Sequence, residues 1–282
     1  MIEFFQALAD PDLSFLRYAL AVGLLASVAF GIIGTFVVAK RISNIAGAIS
    51  HSVLGGIGAG LFLQVVAGWA WCSPLLGAVV AALGSALLIG WVSLYTRQRE
   101  DTIISALWSV GMAVGLLFLA KTPGYTDPMS YLFGNILLIS KFDLWLVMGL
   151  NVLVVGLAFF FYHQFLAVCF DEEFARLKGV PTHFFYLLLL CLTALTVVLL
   201  VRVVGIVMVI ALLTLPSAVA TYFSRRLWQM IIMSILFCMA FTGVGLGVSY
   251  VYNLPSGPTI ILLAAGVFLL VIGFQKLFKK QH

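Results

Sequence analysis

His51 is the residue whose type and position point most directly to chemistry, because it lies inside a long apolar stretch between Ser50 and Ser52. An imidazole in hydrocarbon is costly unless it faces a polar interior, and its neutral nitrogen is a common ligand for transition metals. In a helix, Asn44, Gly47 and His51 share one face, and the middle residue has no side chain. This face predicts a functional site at which the imidazole is a candidate metal ligand; a histidine hydrogen-bonded to a neighbouring helix is the alternative.

A second polar stretch, residues 171–181, interrupts the apolar sequence. It opens with Asp171 and two glutamates, the second of which is Glu173, continues through Arg176 and closes at Gly179, two residues before a proline. Acidic residues in a first turn and basic residues in a last turn complement the helix dipole, and Gly-x-Pro ends a helix. The stretch predicts a short helix outside the membrane; a simple connector is the alternative.

The third notable stretch is an apolar run, residues 204–220, that contains Pro216 and is followed by Arg225 and Arg226. A proline near the end of an apolar helix, followed by small residues, indicates a kink or a change of direction.

The motifs of several function classes are absent from the sequence. There is no GxxxxGK[ST] loop for nucleotide phosphates, no HExxH, no GxSxG, and the four cysteines have no metal-ligand spacing. No predicted span carries a carboxylate away from its ends, which disfavours a proton relay and with it a proton-coupled carrier. The basic residues lie in pairs between apolar runs rather than in a patch for nucleic acid, so no nucleic-acid partner is expected.

These residues must be positioned by helices that cross a membrane. Of 282 residues, 63% are hydrophobic and only 9% are charged, where a soluble domain carries roughly 25% charged residues. About 20 apolar residues span a bilayer. The fold class is therefore all-α and polytopic, one transmembrane domain over 1–282, with about nine spans (eight plus a re-entrant segment is the alternative around 184–223). The predicted spans are 15–39, 44–66, 74–95, 102–120, 142–162, 184–201, 203–223, 228–252 and 259–274.

The distribution of lysine and arginine predicts the orientation. Eleven of the fifteen lie after the first, third, fifth, seventh and ninth spans, whereas the acidic residues divide evenly between the two sides. Basic residues are enriched in cytoplasmic loops. We therefore expect the N-terminus outside and the C-terminus in the cytoplasm.

Glycine pairs at small-xxx-small spacing occur within the predicted spans: Gly56 with Gly60, Gly111 with Gly115, and Gly243 with Gly247. Small residues at this spacing allow helix backbones to approach closely in lipid. Each pair therefore predicts a helix–helix contact.

The three stretches together resemble the permeases of ABC importers for zinc, manganese or iron. The second-span pattern S-x-x-G-D-A-x-S-H-A-x-L is matched by Ser43, Ala48, Ser50, His51 and Leu54. The pattern D-x-E-x-A-x-x-x-G-V is matched by Asp171, Glu173, Ala175, Gly179 and Val180. The pattern V-G-x-x-x-V-x-A-L-L-x-x-P-x-A-x-A is matched by Val204, Gly205, Val209, Ala211, Leu212, Leu213, Pro216, Ala218 and Ala220. The similarity extends over about residues 15–274.

The resemblance implies a transporter subunit, not an enzyme, in a bacterial plasma membrane. It implies a homodimer, two cytoplasmic ATP-binding subunits that hydrolyse ATP, and an extracytoplasmic metal-binding protein, with the cation as cargo and no permanent cofactor. It places His51 as the metal ligand on a route with Asn44, Gly47 and Ser50. Coupling to the ATPase would use helices over 171–180 and 217–228, with the candidate residues Glu173, Arg176, Gly179, Ser217, Arg225 and Arg226.

The sequence departs from the family pattern at Gly47, where an aspartate is expected beside His51. Loss of a hard oxygen ligand and retention of an imidazole favour zinc over manganese or iron. A permease for iron-siderophores, haem or cobalamin shares the cytoplasmic helix and the proline-containing segment, and is the nearest alternative. A stand-alone channel or carrier, or a membrane enzyme, is the alternative from a different class.

Overall fold

The structure is a computed structural model that describes residue 4 and residues 14–96, 100–124, 128–134 and 140–279. Over these ranges the chain forms α-helices and no β-strand. In chain order the helices are α1 (Ser14–Ala39), α2 (Ser43–Val65), α3 (Pro74–Tyr95), α4 (Glu100–Lys121), α5 (Pro128–Phe133), α6 (Lys141–Phe160), α7 (Tyr162–Phe170), α8 (Glu172–Leu177), α9 (Thr182–Val204), α10 (Ile206–Phe223), α11 (Leu227–Tyr252) and α12 (Ser256–Lys279).

Nine of the described helices are long and apolar enough to cross a bilayer, all except α5, α7 and α8. Their number and order confirm the nine predicted spans, with boundaries that differ by a few residues. The outward faces carry large exposed apolar side chains such as Leu117, Phe159 and Leu262. Such faces are suited to lipid, and the protein is a multi-pass membrane protein. The direction in which it is inserted stays a prediction.

The helix α2 lies at the centre of the bundle, packed between α3 and α4. In the most hydrophobic part of α2, 83% of the stretch is buried. In the corresponding part of α4, only 17% is buried. Glycines on α2 meet glycines on α4: a Cβ on Gly55 would lie 2.9 Å from the carbonyl oxygen of Gly111, and one on Gly58 would lie 2.6 Å from that of Gly115. The α2–α4 seam therefore admits no side chain at these positions.

The glycine pairs on α2 and α4 thus make the predicted helix–helix contacts; Gly56 and Gly60 of α2 approach α3. For the third pair, the predicted helix–helix contact was wrong at Gly243, because a Cβ there would point into open space. Its neighbour Gly245 makes the close approach instead, with a Cβ position 3.0 Å from the Cα atom of Ile260. Spacing alone does not specify which face of α11 packs against another helix.

The stretch 184–223 forms two helices that are separated by one residue, Gly205. Its φ of 84° lies in the region that favours glycine. The short helix α5 packs against this break through Gly134, whose φ is 65°, and a Cβ on Gly134 would lie 2.6 Å from the amide nitrogen of Gly205. Both helices qualify as spans, so the re-entrant alternative is not needed.

Charged and polar residues from four helix ends meet on one side of the bundle, which we call the charged end. Lys40, at the end of α1, contacts Glu172 at the start of α8. Arg176 of α8 lies beside His183 at the start of α9, and the ring of His183 lies 5.9 Å from that of Tyr95 at the end of α3. The segments after the first, third and fifth spans therefore lie together, and the side of the membrane that they face stays a prediction.

Candidate functional site

His51 lies in the buried part of α2, with only 7% of its surface exposed. It comes eight residues after Ser43, which places it about 12 Å along the helix from the charged end. Its Nδ1 atom is buried and has no hydrogen-bond partner among the described residues. A buried polar atom is normally paired, and an orphaned one calls for a bound ion, a water or a functional role. Among the described residues, Nδ1 of His51 therefore makes no hydrogen bond to a neighbouring helix, and the role of His51 stays a prediction.

The ring of His51 stacks on the indole of Trp108, which belongs to α4. The ring centroids are 4.5 Å apart and the planes are inclined by 23°. Trp108 comes eight residues after Glu100, the first residue of α4, so the two rings lie at equal depth. The sequence interpretation missed Trp108. One signal was available, since tryptophan in membrane proteins concentrates at the interfaces and this one lies mid-span.

Gly47 lies directly under the same indole. A Cβ at this position would be 2.8 Å from Cζ3 and 3.1 Å from Cη2 of Trp108, which is closer than carbon atoms pack. The position at which the family pattern expects a carboxylate is thus covered by an aromatic ring. Gly47 and His51, predicted to share one face of the helix, both contact Trp108.

The other two predicted pathway residues are placed differently. Ser50 is fully buried, and its hydroxyl donates a hydrogen bond of 2.8 Å to the carbonyl oxygen of Ala46 in its own helix. Asn44 is exposed in the first turn of α2, at the charged end. The structure therefore brings Gly47 and His51 together, and it places Asn44 about 10 Å away along the helix axis.

Within the described residues, no three histidine, cysteine, aspartate or glutamate side chains form a group able to hold a metal ion. The four cysteines are free and take part in no such group among the described residues. Cys169 lies near the charged end, where burial raises the pKa of its thiol to about 12 against an opposing effect of Lys40. In the part of the chain that the structure describes, His51 thus offers a cation an imidazole nitrogen and belongs to no group of three such side chains.

The predicted short helix over 171–180 is confirmed as α8. Asp171 caps it, because its carboxylate accepts a hydrogen bond of 2.9 Å from the amide of Phe174. Glu173, Arg176 and Gly179 are exposed. Two large apolar side chains of α8, Phe174 and Leu177, are also exposed. An exposed pair of large apolar residues on a charged helix is typical of a surface that contacts another protein.

Lys40 attaches α8 to the transmembrane bundle. Its ammonium donates hydrogen bonds of 2.8 Å to Glu172 Oε2 and to the carbonyl oxygen of Val168. The lysine side chain is 18% exposed and that of Glu172 is 29% exposed. Lys40 lies in the turn before α2, which begins three residues later at Ser43. The ion pair therefore connects α8 with the beginning of the helix that carries His51, a link that sequence analysis did not identify.

A separate coupling helix over 217–228 is not present. Residues up to Phe223 continue α10, and α11 begins at Leu227. Ser217 is fully buried, and its hydroxyl lies 2.6 Å from that of Ser234 in α11. The prediction failed because α10 continues through Pro216, with loss of a single backbone donor. Arg225 and Arg226 are exposed in the short turn between the two helices.

Comparison with known proteins supports the resemblance found in the sequence. The family model described as the ABC 3 transport family matches residues 12–275. A probable metal transport system membrane protein of Chlamydia muridarum is 40% identical, over 90% of this chain and 86% of its own length. The manganese transport system membrane protein MntC of Halalkalibacterium halodurans is 33% identical, over 93% of this chain and 88% of its own length.

A solved structure shares the fold along almost the whole chain. PsaBC from Streptococcus pneumoniae, determined in complex with a Fab, superposes with a TM-score of 0.84 at 30% identity. The match covers 96% of this chain and 95% of that chain. The sequence match, the shared fold and the nine spans agree with one another: the chain belongs to the ABC 3 transport family and is a membrane-spanning permease of that family, not an enzyme.

Proposed function

We propose that this permease carries a divalent transition metal, zinc in preference to manganese or iron, from an extracytoplasmic binding protein into the cytoplasm at the expense of ATP. The observation that carries the proposal is the buried His51 with its unpaired Nδ1 atom on the central helix. A neutral imidazole nitrogen is a ligand for a transition metal and is a poor ligand for alkali or alkaline-earth cations.

The preference for zinc rests on the ligands that surround His51. Manganese favours carboxylate, carbonyl and water oxygen, whereas imidazole suits zinc. Gly47 supplies no carboxylate, and the indole of Trp108 covers that position. The relative in Halalkalibacterium halodurans is named for manganese, so manganese is the competing substrate and the assay must contain both metals.

The route needs more ligands than one chain supplies next to His51. Removing a dication from water costs far more than one neutral nitrogen returns. We therefore propose a homodimer in which two copies of His51 approach a common pathway, with Gly47, Ser50 and Asn44 along it. Trp108 is 36% exposed, so this side of α4 is accessible to a second copy.

Coupling is proposed to run through the charged end, with that end in the cytoplasm and the N-terminus outside. The exposed residues of α8, including Glu173, Arg176 and Gly179, and the exposed pair Arg225 and Arg226 form the surface for the ATP-binding subunits. Lys40 connects this surface to α2 through Glu172. Ser217 is left out of this surface because it is buried.

The test is metal uptake by cells that carry the complete transport system and by right-side-out vesicles made from them and loaded with ATP. We expect ATP-dependent movement of zinc that exceeds that of manganese at equal free concentrations, and co-purification of the permease with an ATPase subunit. Metal flux that is independent of ATP, from a chain that purifies alone, would refute the importer and favour a channel or carrier.

A further inference from the structure

The rings of Trp108 and His51 and the bare backbone of Gly47 form one compact arrangement at the α2–α4 seam. The indole stacks on the imidazole at 4.5 Å, and its six-membered ring lies 2.8 Å from the place where a Cβ of residue 47 would be. The same aromatic ring therefore performs two tasks. It sets the plane of the candidate metal ligand and fills the volume of an absent side chain.

We propose that Trp108 is a specificity-determining residue of the pathway, which keeps oxygen ligands away from His51 and thereby favours metals that bind to imidazole. The proposal rests on the proposed role of His51. It also explains why position 47 departs from the family pattern. A carboxylate side chain at 47 and an indole at 108 would occupy the same space, so only one of them can be present.

The stacked indole also has a direct effect on metal binding. The face of an indole is electron-rich and attracts cations or electron-poor rings. A metal that binds His51 withdraws electron density from the imidazole, which strengthens its attraction to Trp108 without adding a negative ligand. The arrangement thus stabilises the metal-bound imidazole while offering nothing to a cation that requires oxygen.

The position of Trp108 supports a role beyond general packing. It faces the ring of a polar residue at the same depth of the membrane, whereas an aromatic residue such as Trp145, with 71% of its surface exposed, presents its ring outward. Nor is α4 held to α2 by the indole, since the glycine contacts of Gly55 with Gly111 and of Gly58 with Gly115 close the seam further along.

The experiment compares Trp108→Ala, Gly47→Asp and the double variant in cells that carry the complete transport system, with zinc and manganese supplied together. The measured quantity is the ratio of zinc to manganese uptake, normalised to the amount of permease in the membrane. Trp145→Ala is the matched control for the loss of a tryptophan. A residue that only supports the fold would lower both metals alike and leave the ratio unchanged.

We expect Trp108→Ala to lower the zinc to manganese ratio by about tenfold, the low end of what groups that orient a metal ligand contribute. Gly47→Asp is expected to lose uptake of both metals, because its side chain meets the indole. Adding Trp108→Ala to Gly47→Asp is expected to restore uptake, with manganese now preferred. Trp108→Phe, which keeps an aromatic face, should give a ratio between those of Trp108→Ala and the unaltered chain.

Two results would overturn the proposal. One is a zinc to manganese ratio in Trp108→Ala equal to that of Trp145→Ala. This outcome can be measured even if Gly47→Asp fails to enter the membrane. The other is a double variant no more active than Gly47→Asp alone although both are present in the membrane. These results differ from a failure of the proposed function, in which His51→Ala leaves uptake unchanged.

Discussion

The region around His51 and the charged end differ in how they use charge and packing. Around His51 the described residues provide close glycine contacts, one unpaired nitrogen and no cluster of three metal-binding side chains. At the charged end it pairs Lys40 with Glu172 and leaves further charges exposed. A cation inside the membrane needs ligands that tight helix packing holds at fixed positions, whereas a surface that meets another protein can use charges, since water screens and solvates them. Shape therefore dominates in the first region and charge in the second.

Overfilling the α2–α4 seam should have the largest effect of any single change. In Gly58→Ile the new side chain starts 2.6 Å from the carbonyl oxygen of Gly115, so the helices must separate. We expect a stability loss of about 3 kcal/mol or more, seen as loss of monodisperse permease in detergent. Gly84→Ala is the control, because its Cβ would meet open space. A stable Gly58→Ile protein would show that the seam is not tightly packed.

Reversing charge between α10 and α11 should affect coupling and leave the bundle intact. Arg225→Glu combined with Arg226→Glu alters two exposed residues, so we expect normal folding. If the ATPase binds there, the hydrolysis of ATP by the complex should fall by about tenfold, as for loss of charged contacts that are worth 1–2 kcal/mol. Unchanged ATP hydrolysis in a correctly inserted variant would remove this turn from the coupling surface.

The ion pair between Lys40 and Glu172 should have an intermediate effect. Both side chains are partly exposed, so a double-mutant cycle with Lys40→Met and Glu172→Gln should yield a coupling energy of about 1 kcal/mol in stability. We also expect uncoupling, in which ATP is hydrolysed with less metal transported per ATP, because α8 loses its connection to α2. Lys178→Met, whose lysine follows the same short helix, is the matched control. Additive effects of the two substitutions would show that the pair carries no coupling.

Removing the hydroxyl of Ser217 should have the smallest effect. Its hydrogen bond to Ser234 is buried, so Ser217→Ala should cost about 1 kcal/mol of stability. Hydrolysis of ATP per complex and metal uptake should remain as in the unaltered chain. A selective loss of coupling with normal stability would return Ser217 to the coupling surface despite its burial.

The features that could be predicted from the sequence are those that depend on a single segment of the chain. The length of the apolar runs predicts the spans, and the order Asp171, two glutamates, Arg176 and Gly179 predicts the capped helix α8, because caps and dipole effects are local. Likewise, the type and apolar setting of His51 single it out without knowledge of its neighbours.

The features that could not be predicted depend on how one helix sits against another. The sequence around Gly47 does not predict its contact with Trp108, which comes 61 positions later. The burial of Ser217 follows from contact between α10 and α11, and the proline before it suggested an end that packing overrides. The division of 184–223 into two spans was predicted, but at Arg202; the break lies at Gly205, where Gly134 from another part of the chain approaches closely.

The most direct test of the proposed pathway is zinc uptake by His51→Ala in the complete transport system, beside His163→Ala as a matched control on an exposed histidine. We predict that His51→Ala reaches the membrane and still binds its ATPase subunit, whereas its zinc uptake falls about 100-fold. His163→Ala should transport normally. Zinc uptake by His51→Ala equal to that of His163→Ala would contradict a metal route through His51.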